Sequence, residues 1–338
     1  MISPSRWTSL VQCTAKGWAD MLILDGRLPE SLPSRGTLVG RFHHRLMEIG
    51  ATVSSATELE AQTEDEIRLL QHEVAKYPHL RRTGSVSGWR EINISASLAM
   101  RMFETRDQIS GEGVLRVERE LKSRDGHLVG RPDLFRIHGA GATVREYKTG
   151  AIRDEKGGVR ADYLDQVTLY AALIFDNFNV QTVEASLESL DGDRHEATID
   201  RTAARDFSEH VGDTLVTVNE QARSARSLAD LARPSADACS YCSSRTFCTP
   251  FKGAQDDLGL KGDQFLTEGT VESIAAHSAN GLTAIDLNDE FRNARIKLLL
   301  PTSVATEMSE GCRYQLINLQ RRGTSLEWGY TSQALSYG

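Results

Sequence analysis

Apolar residues recur at helical spacing through the first third of the chain. Residues 7–11 predict a short amphipathic helix, and Cys13 follows on its next turn. A second helix is expected over residues 39–49. A third is expected to begin at Thr63, because Thr63 and Glu66 have the spacing of a capping box ahead of further apolar positions. The pattern therefore predicts a mostly helical N-terminal region.

The spacing then changes to the alternation typical of β-strands. Segments 114–124, 127–137 and 143–150 are separated by an Asp-Gly pair and by a glycine-rich turn, which predicts a three-stranded antiparallel meander. Residues 163–175 have the length and apolar spacing of a helix that packs on this sheet, and residues 183–190 predict one more strand. The fold class expected for this part is α+β, with helices around one sheet.

The last part of the chain combines a helix with short β-like runs. Apolar positions over residues 207–218 predict a long helix that leads up to Pro234 and to three clustered cysteines. Beyond Lys252 the β-like runs are residues 269–275, 281–287, 295–301, 312–320 and 326–331. Five such runs within about 80 residues predict a small β-barrel. We therefore expect two domains, 1–252 and 256–338.

Composition indicates a folded protein without a strongly basic surface. The 338 residues are 40% hydrophobic and 25% charged, and the formal net charge is −8. A chain this acidic has no overall positive field, so any contact with nucleic acid is expected to be local or assisted by a metal. No apolar run approaches the ~20 residues of a membrane span, and the first residues lack the pattern of a secretory signal. We expect no membrane partner and a cytoplasmic location.

Two carboxylates and one lysine are expected to converge on the predicted sheet. Asp133 ends one predicted strand, and Glu146 and Lys148 lie in the next strand, where alternation puts both on one face and Tyr147 on the other. Two hard oxygen ligands suit Mg²⁺ or Mn²⁺, which can polarise a phosphodiester and acidify a bound water. Lys148 would orient that water or stabilise developing charge. The alternative is that these three are surface charges on an amphipathic hairpin.

These residues stand in motifs that resemble a known family. The sequence reads G-x-P-D at 130–133, E-x-K-T-G at 146–150 and Q-x3-Y at 166–170. This order resembles the RecB-like branch of the PD-(D/E)XK nuclease superfamily, which implies a restriction-endonuclease-like core. The resemblance implies that Asp133 and Glu146 bind the metal, that Lys148 is catalytic, and that Gln166 and Tyr170 belong to the site. Gln166 and Tyr170 are four apart and share a helix face, although a glutamine and a tyrosine can also simply cap the core.

A histidine upstream extends the resemblance. Residues 40–48 read G-x3-H-x3-E, and in the family the histidine of this helix is a metal ligand, which selects His44. His43 precedes it, so a shift of one residue in register would make His43 the ligand. A histidine beside an apolar helix face is also often structural.

Cysteine spacing adds an independent feature. Five cysteines, an odd number, argue against a disulfide framework, and three of them form C-x2-C-x5-C. Nucleases of this branch that accompany helicases or act in CRISPR adaptation hold a 4Fe-4S cluster with such a triplet and one distant cysteine. The resemblance implies a structural staple between the first helix and the end of the nuclease domain, and its four ligands would be Cys13, Cys239, Cys242 and Cys248.

Other interpretations of the cysteines remain open. Four thiolates also suit Zn²⁺, Cys239 and Cys242 could form a redox pair, and all four could be buried free thiols. A proline commonly follows the first cysteine in such proteins, whereas this chain has Thr14. We expect Cys312, in a predicted barrel strand, to be a small apolar filler.

The motifs together predict a metal-dependent DNA nuclease, a phosphodiester hydrolase. The resemblance implies an exonuclease on single-stranded or end-opened DNA in repair, recombination or defence. The sequence has no Walker A motif, so a helicase motor would be a separate protein. The alternative is a catalytically silent DNA-binding or scaffold module that partners a helicase.

The barrel is expected to resemble an OB-fold, a module that binds single strands through aromatic platforms and basic residues. Its candidates for nucleic-acid binding are Tyr314, Arg321, Arg322, Trp328 and Tyr330. The alternative is that these aromatic side chains fill the barrel core.

Overall fold

A computed structural model describes most of the chain. The described residues are 1–24, 33–77, 80, 85–105, 114–240, 242, 244–260, 262–275 and 281–337. The chain divides into two compact units, the first formed by Met1–Ser9 with Pro33–Ser224 and the second by Leu10–Leu32 with Ala225–Gly338. The predicted domains 1–252 and 256–338 have different boundaries and stay a prediction.

Helices open the chain, as the apolar spacing predicts. Helix α1 (Pro4–Gln12) is followed directly by α2 (Thr14–Leu24), with Cys13 between them. The first unit continues with α3 (Arg35–Thr52), α4 (Ala56–Lys76) and α5 (Arg90–Thr105). Leu46, Leu59 and Ile92 belong to one buried apolar cluster of these helices.

The predicted start of the third helix at Thr63 is wrong. Helix α4 begins two turns earlier, at Ala56, because Ser55 is its N-cap and accepts a hydrogen bond from the backbone N–H of Glu58. Thr63 and Glu66 therefore lie inside the helix. A serine cap outcompetes the later capping-box pattern because the residues between them favour a helix.

The central sheet of the first unit has five strands in the order β1-β4-β5-β6-β7. They are β1 (Val114–Val117), β4 (Leu134–His138), β5 (Gly141–Lys148), β6 (Thr182–Ser189) and β7 (Arg194–Asp200). The β5–β6 pair is parallel and the other neighbours are antiparallel. Strand β7 was not predicted.

The predicted three-stranded meander is correct in its pairing of β4 with β5 and wrong in its continuity. A separate pair, β2 (Leu121–Lys122) with β3 (Val129–Gly130), interrupts the first two predicted strands. Pro132 has no backbone N–H to donate to a ladder, which explains why pairing stops between β3 and β4. Asp133 consequently lies in the link between these two strands and does not end a strand.

Two helices follow the order that the sequence predicts. Parallel pairing of β5 and β6 requires a crossover, which α6 (Ala161–Asn177) provides. Helix α7 (Arg201–Ser224) confirms the predicted long helix but stops ten residues short of Pro234, and a 3₁₀ turn at Leu228–Leu231 comes next. Ser227 caps this turn with Asp230, which begins a new element there.

The second unit contains the cysteine segment and the predicted barrel. Besides α2 and the turn at Leu228–Leu231, it has helices α8 (Ala236–Ser240), α9 (Thr249–Ala254) and α10 (Thr302–Ala305), with a 3₁₀ turn at Arg245–Phe247. Its strands are β8 (Asp263–Ile274), β9 (Leu282–Asp289), β10 (Ala294–Pro301), β11 (Arg313–Arg322) and β12 (Ser325–Tyr337). They close in the order β8-β9-β10-β12-β11, with β10 and β12 parallel. The five-strand barrel is confirmed.

Glycine and charge shape this unit. A side chain at Gly269 would run into the carbonyl of Asn288, so the close approach of β8 to β9 requires glycine. Lys252 of α9 lies 2.8 Å from Glu268, which also pairs with Arg313 at 2.6 Å. The largely buried Lys252–Glu268 pair fixes the segment after Cys248 onto the barrel wall.

Two further expectations concern Cys312 and membrane-spanning helices. Cys312 is exposed and precedes β11, so the expectation of an apolar filler within a strand is wrong. Among the described residues, no helix is long and apolar enough to cross a membrane. The cytoplasmic location stays a prediction.

Candidate metal and catalytic site

Strand β5 and the link before β4 position the acidic residues. Leu134, which follows Asp133, pairs with Arg145, which precedes Glu146, so the two carboxylates come to neighbouring positions. Tyr147 is buried on the opposite face, as alternation predicts. Glycine is needed at Gly130, the end of β3, because a side chain there would run into Leu173 and Tyr170 of helix α6.

His44 and Asp133 meet although 89 positions separate them. His44 Nδ1 lies 2.9 Å from Asp133 Oδ1, and Asp133 Oδ2 accepts a hydrogen bond from the backbone N–H of Tyr147 at 2.7 Å. Burial acts to lower the pKa of His44, but the hydrogen bond and the charge of Asp133 outweigh burial and leave the pKa raised. Asp133 therefore orients the imidazole and is itself held by β5.

His43 occupies a different environment. It is buried, and its Nδ1 lies 3.0 Å from the Ser95 hydroxyl. Burial and the neighbouring His44 lower its pKa to about 4, so His43 is neutral at physiological pH. The geometry thus brings His44 to Asp133 and leaves His43 in the helical core.

A continuous set of hydrogen bonds joins Glu146, Lys148, Gln166 and Tyr170. Lys148 Nζ lies 2.8 Å from Glu146 Oε1 and 2.6 Å from Gln166 Oε1. Gln166 Nε2 donates to Glu146 Oε1 at 2.7 Å and lies 3.2 Å from the Tyr170 hydroxyl. The expected shared helix face of Gln166 and Tyr170 is present, and it faces the β5 residues.

Glu146 is buried, whereas the alternative interpretation places it among surface charges on an amphipathic hairpin. Its exposed fraction is 3%, and among the described residues its Oε2 atom has no hydrogen-bond partner. Burial raises the pKa of the carboxyl, and the charge of Asp133 raises it further. A buried carboxylate oxygen without a partner is unfavourable unless a cation or a proton occupies it. The interpretation as surface charges is therefore wrong for Glu146.

Glu118 joins this site, and the sequence reasoning missed it. One ligand atom from each of His44, Glu118 and Asp133 lies within 4.8 Å of the others, the one such group found among the described residues. Burial and the charge of Asp133 raise the pKa of Glu118 to about 7. The signal in the sequence was an acidic residue directly after the strand that pairs with β4.

Tyr163 is a second residue that the sequence reasoning missed. The Lys148 ammonium lies 4.7 Å from the centre of the Tyr163 ring, and the Arg160 guanidinium lies 4.5 Å from it. Both distances suit cation–π attraction. Tyr163 stands three residues before Gln166 on α6, so helical spacing from the Q-x3-Y motif could have identified it.

The donor set fits a hard divalent cation. One imidazole and two carboxylates, from His44, Glu118 and Asp133, approach one place. Glu146 lies at the neighbouring strand position, and a cation would satisfy its buried Oε2, which has no hydrogen-bond partner among the described residues. Mg²⁺ and Mn²⁺ prefer such oxygen ligands. The ammonium of Lys148 cannot bind a cation, but it can donate to a water or to a phosphate oxygen next to one. The arrangement is suited to hydrolysis of a phosphodiester.

The four predicted cluster cysteines lie together in the second unit. Cys13, Cys239, Cys242 and Cys248 line one mostly apolar cavity, and none is in a disulfide. The backbone N–H of Arg233 donates to Cys13 Sγ at 3.3 Å. Burial raises the pKa of Cys239 and of Cys242, the opposite of the lowered pKa that a redox-active thiol needs.

Most of the barrel candidates already have partners within the protein. Arg321 pairs with Asp256 and stacks over Phe265, and Arg322 Nε lies 3.0 Å from Glu327. Tyr314 is buried, and its hydroxyl accepts a hydrogen bond from the Ser309 backbone, so it fills the core. Trp328 is half-buried opposite Leu319 on β11. The side chain of Tyr330 lies outside the described part of the structure.

Comparison with protein families gives one match. Residues 1–249 match the model of the PD-(D/E)XK nuclease superfamily. No curated protein matches the sequence. The family match covers all residues of the candidate metal site and the four cysteines.

Solved structures give only distant likenesses. SSO0001 is 20% identical over 46% of this chain and 75% of that chain, with a TM-score of 0.24. LHK-Exo in complex with dAMP is 10% identical over 54% and 88%, with a TM-score of 0.26, and LHK-Exo is an alkaline exonuclease from Laribacter hongkongensis. Tetrameric p202 HIN2 is 10% identical, with a TM-score of 0.19. The likeness covers 22% of this chain and 40% of the HIN2 chain. At these scores the likenesses carry no argument about function.

Proposed function

Because the chain belongs to the PD-(D/E)XK nuclease superfamily, we propose that it is a Mg²⁺- or Mn²⁺-dependent deoxyribonuclease. The observation that carries the proposal is the pairing of His44 with Asp133, at the strand position next to the buried Glu146 that the ammonium of Lys148 contacts. A divalent metal held by these three ligands supplies a Lewis acid that polarises the phosphodiester and acidifies a water.

The protein's own residues prepare the lysine for this chemistry. Two oxygen acceptors, from Glu146 and Gln166, fix the Lys148 ammonium, and the Tyr163 ring lies against it. An ammonium has three donors, so one N–H remains for the attacking water or for a phosphate oxygen. A positive charge held in place before the reaction stabilises negative charge that develops on phosphorus oxygens.

We propose that the enzyme is an exonuclease on single-stranded or end-opened DNA, of the RecB-like iron–sulfur branch, in repair, recombination or defence. A separate helicase or recombination protein would supply the opened strands. The test incubates end-labelled linear single strands, linear duplex and closed circular single strands with Mg²⁺ or Mn²⁺. Linear substrates should shorten while circles persist, and cleavage of circles would instead indicate an endonuclease.

A matched pair of lysine variants separates catalysis from binding. Lys148→Ala should lose cleavage, whereas Lys156→Ala, at an exposed position of the loop before α6, should retain it. DNA binding by the wild type without cleavage in either metal would favour the alternative of a silent scaffold that partners a helicase.

We also propose a 4Fe-4S cluster on Cys13, Cys239, Cys242 and Cys248. The shared apolar cavity and the N–H donor at Cys13 support it. Four thiolates also suit Zn²⁺, and elemental analysis of the purified protein distinguishes the two metals.

The barrel, in the proposed domain 256–338, is proposed to be an OB-fold that binds single strands. Its Greek-key strand order with one parallel closure is what supports this. Stacking of one base contributes ~1 to 3 kcal/mol, so Trp328→Ala should weaken binding to long single strands about fivefold or more. Leu335→Ala, at an exposed apolar side chain of the same strand, is the control and should bind normally. Equal affinity of Trp328→Ala and wild type would remove Trp328 from the proposed surface.

A further inference from the structure

Glu118 has an unusual backbone conformation for a residue of its type. Its φ is 46°, and its backbone N–H donates to the Asp133 carbonyl at 3.2 Å. A non-glycine residue in the left-handed region is disfavoured by roughly 1 kcal/mol, so such a conformation persists where surrounding contacts impose it. Here the contact with Asp133 turns the chain out of β1 at the candidate metal site.

The turn brings the Glu118 carboxylate to the other donors. Its ligand atom lies within 4.8 Å of those of His44 and Asp133. Glu120, two residues later, has a different environment, since it is exposed and pairs with Lys122 at 3.3 Å and with Arg131 at 3.2 Å. Glu118 therefore faces the candidate metal site, whereas Glu120 faces two basic side chains at the surface.

Glu146 provides the independent observation. Its Oε1 is occupied by Lys148 and Gln166, and only the buried Oε2 remains without a partner among the described residues. A hard divalent cation takes about six oxygen or nitrogen ligands, which protein groups and waters supply together, so its coordination shell has room for a further carboxylate beside His44 and Asp133.

We propose that Glu118 is a further ligand of the divalent metal, on the side of the site that His44 and Asp133 form. The proposal rests on the proposed function only in assuming that a metal binds here. Glu118 therefore contributes to the affinity for the metal, and Glu120 does not.

The test measures Mn²⁺ binding calorimetrically, without DNA, to the full chain and its variants. Glu118→Gln keeps the shape of the side chain and removes its charge, and it should weaken Mn²⁺ binding tenfold or more. Glu120→Gln, the matched control, should bind Mn²⁺ as the wild type does. A second reading is the rise in melting temperature on adding Mn²⁺, which should be smaller in Glu118→Gln.

The outcomes separate the two proposals. Wild-type affinity in Glu118→Gln, or equal losses in Glu118→Gln and Glu120→Gln, would overturn the ligand assignment. Absence of Mn²⁺ binding by the wild type would overturn it as well. Wild-type protein that binds Mn²⁺ through Glu118 but cuts no DNA would leave the ligand in place and refute the nuclease function. If Glu118→Gln does not fold, Glu118→Asp serves instead, and the shorter side chain should also weaken binding.

Discussion

Gln166 holds Lys148 in place through a hydrogen bond of 2.6 Å between Gln166 Oε1 and Lys148 Nζ. The other end of the same amide donates to Glu146 at 2.7 Å, so the orientation of the amide is fixed by two groups of opposite charge. A single glutamine on α6 thereby sets the distance between the carboxylate and the ammonium on β5.

Gln166→Ala should lower kcat roughly 10- to 100-fold, because a small displacement of a catalytic group is enough for such a loss. The KM for DNA should change little, since Gln166 is buried and its amide is held by Lys148 and Glu146. Steady-state kinetics separates the two constants. Gln221→Ala, on an exposed position of α7, is the control. A change in KM alone would contradict a positioning role.

Glu146→Gln should reduce cleavage by ~10³-fold or more, since it removes a metal ligand from a site where the metal supplies most of the chemistry. The metal-free melting temperature should fall by no more than a few degrees, because the variant removes a buried carboxylate that has an unpaired oxygen. Cleavage assays and thermal melting without metal test both parts. Glu60→Gln, exposed on α4, is the control, and a fully active Glu146→Gln would exclude Glu146 as a ligand.

Anaerobically purified protein should be brown and contain iron and sulfide, because four thiolates that share one cavity are suited to an iron–sulfur cluster. Cys13→Ser should lose the metal and lower the melting temperature, since binding of the metal also stabilises the fold. Cys312→Ser, at an exposed cysteine outside the cavity, should change neither property. Stoichiometric zinc without iron would replace the cluster by a zinc site.

Asp256 should contribute stability that depends on pH. Burial acts to raise its pKa, but hydrogen bonds and charge from Arg292, together with Arg321, outweigh burial and lower it. The carboxylate therefore stabilises the fold above its ordinary pKa of 3.8, and this contribution is lost as the pH falls through the lowered value. Asp256→Asn should be less stable by about 1 kcal/mol at pH 7. Urea unfolding at pH 7 and near pH 3 should show this difference shrinking, and a difference that grows in acid would contradict the assignment.

Local patterns predicted the elements that bear the central motifs. The alternation of side chains along β5 placed Glu146 and Lys148 on one face of the strand. Helical spacing placed Gln166 and Tyr170 on one face of α6. The period of two in a strand and of 3.6 in a helix depends only on the backbone. The five runs of the barrel were likewise readable from alternation. The choice of His44 over His43 came from the family resemblance, and the geometry brings His44 to Asp133.

The missed features depend on tertiary contacts. Glu118 reaches the site through a left-handed backbone turn that no local pattern marks, and its partner Asp133 is 15 residues away. The burial of Glu146 depends on α6, the crossover helix that packs on β5 and β6. The capping-box motif at Thr63 was misleading because Ser55 caps the helix first. Charge pairing of Arg321 and Arg322 inside the second unit was also invisible in sequence.

Cleavage of end-labelled DNA by purified wild type and Asp133→Asn, each with Mg²⁺, with Mn²⁺ and with a chelator, tests the nuclease assignment most directly. Asp133 accepts hydrogen bonds from both His44 and β5, and the asparagine keeps its shape while removing the charge that holds a cation. We predict that the wild type degrades DNA only when a divalent metal is present, and that Asp133→Asn does so at least ~10³-fold more slowly while melting at a similar temperature. Degradation that persists in the chelator, or equal rates for the two proteins, would contradict a metal-dependent nuclease at this site.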